Sequence, residues 1–458
     1  MPICLQHPQH RRYRFTFNSV TLSLVLFLSA CASWTRPDTP PAATQAQPVT
    51  LNPWWLDFQD PLLTELIVQA IQANPTVLSS QAALRQARAL RDVQVAATRP
   101  SLSVSGSAQR SGSDAGASIN FRSGIDASWE LDIFGANQSA VANSEAEVQV
   151  ARANLRDVQL SLSAEVALAY IQWRGLQAQL GIAERNLTSQ QETLQITQWR
   201  AQAGLLTSLE VEQAKTAVAQ TQAQRVSLQS SLAKTGHSLA VLGGRSPKTS
   251  DAALQAPRPI PTLAPHIPND IAAEMLRQRA DVRAAEARIT ASLAAVDAAE
   301  AARKPSFKLG GSVGLTALTL SGLSNGAALA SAVLASVSAP IVDGGAAIAR
   351  VVAQQAALEQ SRAAYQNTVL TAVREVEDAL LALRNDQQRL GYLQQAASAA
   401  DNASVLAQNR YLSGLIDFQT VLQTQRSLLS SQDSVAGVQA ELSSDVVRLV
   451  KAVGGGWQ

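Results

Sequence analysis

The chain has 458 residues, of which 46% are hydrophobic but only 4% aromatic, with a formal charge of +2. Its Ala, Leu and Val, interleaved with Gln and Ser, suit long helices with shallow contacts rather than one thick core, and the usual domain count for this length fails for a repeated, elongated architecture. Arg11, Arg12 and Arg14 fall within the first thirty residues, which hold no acid, so the remainder carries −1 and nothing suggests a nucleic-acid partner.

Residues 1–30 read as a secretory signal peptide. Arg11-Arg12-Tyr13-Arg14 supplies a positive start, and an apolar run over 20–30 is too short to cross a bilayer as a stable helix. Leu28-Ser29-Ala30-Cys31 resembles a bacterial lipobox. That resemblance implies that Cys31 is the lipidated first residue of the mature protein, held in outer-membrane lipid because Ala32 rather than Asp follows it. Cys4 is removed with the signal, so the mature chain has one thiol and no internal disulfide despite an oxidising compartment. Residues 31–53, rich in Pro, Thr, Gln and Ala, form an extended tether.

Regular structure is expected from Asp60-Pro61, a helix cap followed by a first-turn proline, in one helix to about Thr98, where Arg99-Pro100 stops it. A β-hairpin over 101–132 follows. In Phe121–Leu131, Phe121, Ser123, Ile125, Ala127, Trp129 and Leu131 alternate with Arg122, Gly124, Asp126, Ser128 and Glu130. Neither neighbouring segment offers a layer to cover the apolar face. Phe121 and Trp129 stand roughly 26 Å apart at strand rise, close to the ~25 Å apolar band of a transmembrane barrel. A second hairpin is expected over 306–342, with Phe307, Leu309, Val313 and Leu315 on one face and a returning strand from about Val333 to Ile341.

A long helix follows each hairpin. Val141, Val148, Leu155, Leu162, Ala169, Leu176 and Ala183 recur every seven residues, joined from mid-helix by Val166, Trp173, Leu180, Leu187 and Leu194. Val369, Val376, Leu383 and Leu390 repeat the interval in the second half, and such heptads predict coiled-coil packing. Arg99-Pro100-Ser101 returns as Lys304-Pro305-Ser306, 205 residues on; Gly204-Leu205 returns as Gly414-Leu415, 210 residues on. One unit is therefore written twice, over 54–244 and 269–458, joined by a linker at 245–268, and each unit reads helix, hairpin, long helix, glycine turn, returning helix. Four transmembrane strands cannot close a barrel, and an open sheet edge cannot exist in lipid, so several copies must share one.

The lipobox, the duplicated order, the Arg/Lys-Pro-Ser entry to each hairpin, and the turns at 200–215 and 410–426 together resemble the TolC family, in its lipoprotein branch of outer-membrane efflux factors. The likeness spans nearly all of 54–457. It departs after the lipobox, where many members carry Gly-Pro-Asp-Tyr and this chain has Ala32-Ser33-Trp34-Thr35-Arg36-Pro37-Asp38. The resemblance implies an α+β membrane protein: a homotrimer whose twelve strands close one barrel above an α-barrel of antiparallel coiled-coil helices crossing the periplasm. It implies export of small molecules such as drugs or metal ions, with a periplasmic adaptor protein and an inner-membrane transporter as partners. Gly204 and Gly414 let two helices reverse tightly, and Leu205, Leu206 and Leu415 are expected to be apolar and exposed there. The resemblance assigns adaptor contact to these residues and Arg410. It also places a periplasmic aperture at Glu210 and Asp417, with Thr420 and Gln423 at positions where relatives often carry acids.

An enzyme is not expected. Outside the signal, His237 and His266 have no Cys or carboxylate at metal-ligand spacing, and the glycine runs at 310–311 and 454–456 lack the context of a phosphate loop, so neither a metal nor a cofactor is expected. A duct for type I protein secretion would use the same kind of channel. A structural coiled-coil lipoprotein would account for the heptads and Cys31 but leave both hairpins unexplained.

Overall fold

The computed structural model describes residues 53–113, 116–248, 252–263, 273–325 and 327–455, all within the unit Leu51–Gln458. The expected signal peptide, Cys31, the tether up to Asn52 and part of the linker lie outside the described residues. The elements run α1 (Pro61–Ala73), α2 (Pro75–Ala97), β1 (Ser101–Ser113), β2 (Gly116–Leu131), α3 (Ala136–Gln202) and α4 (Ser208–Leu242). After a single turn, α5 (Ala252–Gln255), come α6 (Ala273–Arg277), α7 (Ala280–Ala301), β3 (Ser306–Ala317), β4 (Ala328–Ser338), α8 (Ala346–Leu412) and α9 (Phe418–Ala452). α3 and α8 are each 67 residues long, and α4 and α9 are each 35. At helical rise, 67 residues span roughly 100 Å.

Helices of that length are held by neighbours rather than by propensity. Near the strands the packing order is α2–α3–α7–α8, and farther away it is α4–α3–α9–α8, so each long helix is matched by two shorter ones stacked end to end. The heptad residues turn inward: Val148, Leu155, Leu162, Val166, Trp173, Ala183 and Leu187 on α3 and Val376 and Leu383 on α8 are buried.

Three differences from the sequence reading have local causes. Structure begins earlier, in a 3-10 turn at Trp54–Phe58 whose three aromatics are buried beneath α1 and α3. The single helix expected up to Thr98 is broken at Asn74-Pro75. Proline cannot supply the N–H that would continue α1, and the Asn74 carboxamide oxygen instead accepts from Thr76 N to start α2. The returning strand occupies Ala328–Ser338 rather than about 333–341, because Ser306 to Thr316 of β3 pair with Ser338 back to Ala328 and leave Ile341 outside the ladder.

The same joint closes both units. Asn74 Nδ2 donates to the carbonyl of Leu242 at 2.9 Å, and Arg279 Nη1 donates to the carbonyl of Ala452 at 2.6 Å, which ties the start of α2 to the end of α4 and the start of α7 to the end of α9. The largest core cluster lies at this level around Leu63, Ile67, Tyr170, Ile171, Leu383 and Val447. Fully buried Arg174 donates there to Tyr170 Oη, Gln177 and the Ala256 carbonyl, while the Tyr170 hydroxyl donates to Asp60 at 2.6 Å. Burial and the Asp60 carboxylate push the Tyr170 hydroxyl up to about 12, so it stays a donor.

Candidate functional site

Two regions carry features that packing does not explain: the strands at one end and the glycine turns at the other. The sheet is antiparallel in the order β1-β2-β3-β4, with both outer edges unpaired among the described residues. Directly opposed residues share a face. Val104 opposes Ile125, which opposes Val313, and Trp129 opposes Leu309, which opposes Ala335. Leu102, Val104, Ile125, Val313, Leu329, Val333 and Val337 therefore stand on one face, and all are exposed. The opposite face collects Ser101, Ser103 and Ser105 of β1, Arg122, Asp126 and Glu130 of β2, and Lys308 and Ser312 of β3.

On that polar face Lys308 Nζ lies 3.3 Å from Glu130, and the Ser105 hydroxyl donates to Asp126. Leu334 is its one large apolar residue among the described positions. Where the sheet meets the helices, Trp129 Nε1 donates to the Thr98 carbonyl at 3.0 Å, the Phe134 and Phe307 rings lie 6.3 Å apart, and the Lys304 ammonium sits 5.2 Å from the Phe134 ring centre. An amphipathic ring beside a cation suits a membrane–water boundary. Among the described residues no helix is long and apolar enough to cross a membrane.

At the far end the two turns superpose in detail. Gly204 and Gly414 both have φ +73°, in the left-handed region that other residues adopt only at a cost. Leu205 N donates to Arg200 O and Leu415 N to Arg410 O, each at 2.9 Å, which satisfies a terminal carbonyl of α3 and of α8. Leu205 and Leu415 project as exposed leucines. Leu206, expected to be exposed as well, is half-buried against a cluster of Tyr411, Phe418, Val421 and Leu422, because the turn folds it back under the tip.

The acidic tip residues begin helices. Glu210 accepts from the Thr207 N–H at 3.0 Å and from the Thr207 hydroxyl while Thr207 caps α4, a reciprocal capping box. Asp417 caps α9, accepting from Thr420 N at 2.8 Å and the Thr420 hydroxyl at 2.6 Å. The Thr207 and Thr420 hydroxyls, with the adjacent backbone N–H groups, hold both carboxylates below their usual range, so both are charged at neutral pH. Gln423 is exposed one turn farther along α9.

Sequence reasoning overlooked Arg200. It donates to the carbonyls of Tyr411 (3.2 Å) and Leu412 (2.9 Å), with its guanidinium 4.8 Å from the Tyr411 ring centre, and so ties the end of α3 to the end of α8. The available signal was an arginine four residues before each turn glycine, Arg200 and Arg410. Arg410 is exposed.

The chain matches the family described as outer membrane efflux protein over residues 66–245 and 271–455. It is 32% identical to the pyoverdine export outer membrane protein OpmQ of Pseudomonas putida, over 95% of this chain and 97% of that one. It is 31% identical to the solvent efflux pump outer membrane protein SrpC of Pseudomonas putida, over 87% and 86%. Among solved structures, the outer-membrane channel OprN superposes with a TM-score of 0.84 at 34% identity, covering 92% of this chain and 98% of that one. The outer membrane protein VceC of Vibrio cholerae gives 0.82 at 27% identity, covering 89% and 100%. A duplicated helix–hairpin–helix chain, with an uncovered amphipathic sheet at one end and paired glycine turns at the other, is a member of the TolC family of outer-membrane efflux channels.

Proposed function

We infer that this chain is the outer-membrane duct of an efflux pump, three copies closing one barrel and one helical tube. The carrying observation is a four-stranded sheet whose apolar face is exposed and whose two edges are open. Such a sheet is costly in water and forbidden in lipid unless other copies complete it. The polar face would line the pore, and the helices would carry the passage on for roughly 100 Å. Cargo selection lies in the inner-membrane transporter: relatives named for pyoverdine and for solvents align with this chain over 95% and 87% of its length at nearly equal identity, 32% and 31%. Native mass measurement with planar-bilayer recording is the test. A conducting trimer is expected, and a monomer without conductance would overturn the reading.

Membrane attachment is assigned to acylated Cys31 in addition to the barrel. Intact mass of protein taken from its native membrane should show the acyl addition and lose it in Cys31→Ser; no addition on the wild type would refute the anchor.

Gly204, Leu205, Leu206, Arg410, Gly414 and Leu415 form the surface for a periplasmic adaptor, with the exposed Leu205 and Leu415 as its apolar anchors. Gly414→Trp should abolish adaptor crosslinking; retained assembly would dismiss the site. Glu210 and Asp417 border the aperture, beside Thr420 and Gln423, and three copies would turn each acid into a ring favouring cations. Glu210→Gln with Asp417→Asn should shift the reversal potential toward lower cation preference, most at low salt. An unchanged potential would dismiss the gate.

A further inference from the structure

The two repeats enclose a cavity at the same joint, with different linings. In the first, about 630 Å3 lies beside Leu168, Leu176, Ser238 and Leu242, and the charges around it are Glu165, Glu441 and Arg448. In the second, about 620 Å3 lies where α3, α7, α8 and α9 meet, and seven acids and three cations line it. Counterparts stand 210 residues apart, as the turn glycines do: Asp378 takes the place of Leu168, Asp386 of Leu176, and Asp445 of Thr235. The first repeat closes the same joint without these carboxylates, so packing does not call for them.

The acids fall into two groups. Asp445 stands with Asp386 and Glu441, and Asp157 stands with Asp281 and Glu375. On α8, Glu375 and Asp386 are separated by three helical turns, roughly 16 Å, and Ala379 and Ala382 line the interval. The resident cations leave part of this charge unmet. Arg279 is held by Asp281 and Glu375, Arg389 lies 3.6 Å from Asp386, and Arg448 donates to Glu441 and to Asp445 Oδ1, each at 2.6 Å. Asp445 is 1% exposed, yet its Oδ2 has no hydrogen-bond partner among the described residues. A buried carboxylate oxygen without a donor is costly. Burial pushes the Asp445 carboxyl up against the pull of Arg448, and the Glu441 and Asp386 charges add to the rise.

The spacing of the charges selects the ligand. Among the described residues no group of three His, Cys, Asp or Glu side chains is placed to hold a metal ion, so one small ion would meet only part of the charge. Ammonium groups strung on methylenes would meet both acidic groups and lay their stems along Leu160, Ala379 and Ala382. We propose that the second-repeat cavity binds an aliphatic polyamine, one ammonium donating to Asp445 Oδ2 beside Asp386 and another lying among Asp157, Asp281 and Glu375. This site lies within one chain and does not rest on the duct, the adaptor surface or the aperture.

The test is titration calorimetry of spermine into the full-length protein in detergent at low salt. One saturable site per chain is expected, together with a raised melting temperature. Asp378→Leu with Asp386→Leu gives the second repeat the side chains that the first carries at the same places. Affinity should then fall at least tenfold, with no loss of melting temperature in the absence of spermine. Asp445→Asn, nearly isosteric, should weaken binding about tenfold through loss of a charge-assisted bond, and it decides alone if the double variant does not fold. Unchanged affinity in these variants, or the same saturable heat from magnesium at equal ionic strength, overturns the site. Binding that is lost only in Glu210→Gln with Asp417→Asn puts the amine at the tip and overturns it as well.

Discussion

The joint between stacked helices exists twice in this chain and is built from different chemistry each time. In the first repeat a neutral amide, Asn74, reaches the last carbonyl of α4. In the second a guanidinium, Arg279, reaches the last carbonyl of α9 and also grips Asp281 at 2.8 Å and Glu375 at 2.7 Å. The difference separates what the backbone demands from what the surroundings tolerate. A buried helix end must give its terminal carbonyl a donor in both repeats. Both repeats carry an acid on the long helix, Glu165 and Glu375, but only the second places one two residues beyond the break, where Thr76 stands in the first repeat and Asp281 in the second.

The sharpest way to break the comparison is through the glycines that bring the helix ends together. A Cβ at Gly244 would lie 2.5 Å from the Ala73 carbonyl oxygen, and one at Gly454 would lie 3.2 Å from Arg279 Cα, both at positive φ. Gly244→Ala is expected to cost about 3–4 kcal/mol and Gly454→Ala about 1–2 kcal/mol, read from thermal unfolding in detergent. Equal losses would mean that the joints are equally tight.

Exchanging the donors has the next largest effect. Arg279→Ala leaves Asp281, Glu375 and a buried carbonyl without their partner and should cost about 2–3 kcal/mol, whereas Asn74→Ala should cost about 1 kcal/mol. Acid sharpens the same contrast. Burial raises the Asp281 pKa, but hydrogen bonds and charge from Arg279 outweigh it and hold the group below its usual 3.8. Its stabilisation is therefore present above that value and lost as pH falls through the depressed one. Asp281→Asn should be less stable than wild type near neutrality, with the gap closing below about pH 4; a gap independent of pH would remove the ion pair from the account. Least affected should be the hairpins: Lys308→Gln breaks an exposed pair with Glu130 and should change stability by less than about 0.5 kcal/mol in the same assay.

The periodicities that one chain carries in itself were legible in the sequence. Alternation in Phe121–Leu131 identifies a two-faced strand because side chains alternate across the pleat, and heptads such as Val148, Leu155 and Leu162 identify the inward stripe of α3 because helical neighbours recur by turns. The turn glycines Gly204 and Gly414 were legible because so few residues reach φ +73° cheaply. Even the break at Asn74-Pro75 left its dipeptide in the sequence, overlooked because the apolar pattern runs through it.

Tertiary structure alone decided which partner each surface meets. Leu160 and Leu370 are the same residue at the same place in the repeat, yet one is buried and the other exposed. Arg200 and Arg410 precede their glycines identically, yet among the described residues only the Arg200 side chain finds partners, the carbonyls of Tyr411 and Leu412. Local sequence sets a side chain's face and character through short-range geometry. Burial depends on which distant segment arrives to cover that face, and in this duplicated chain α9 covers α3 while no described segment covers the equivalent stripe of α8.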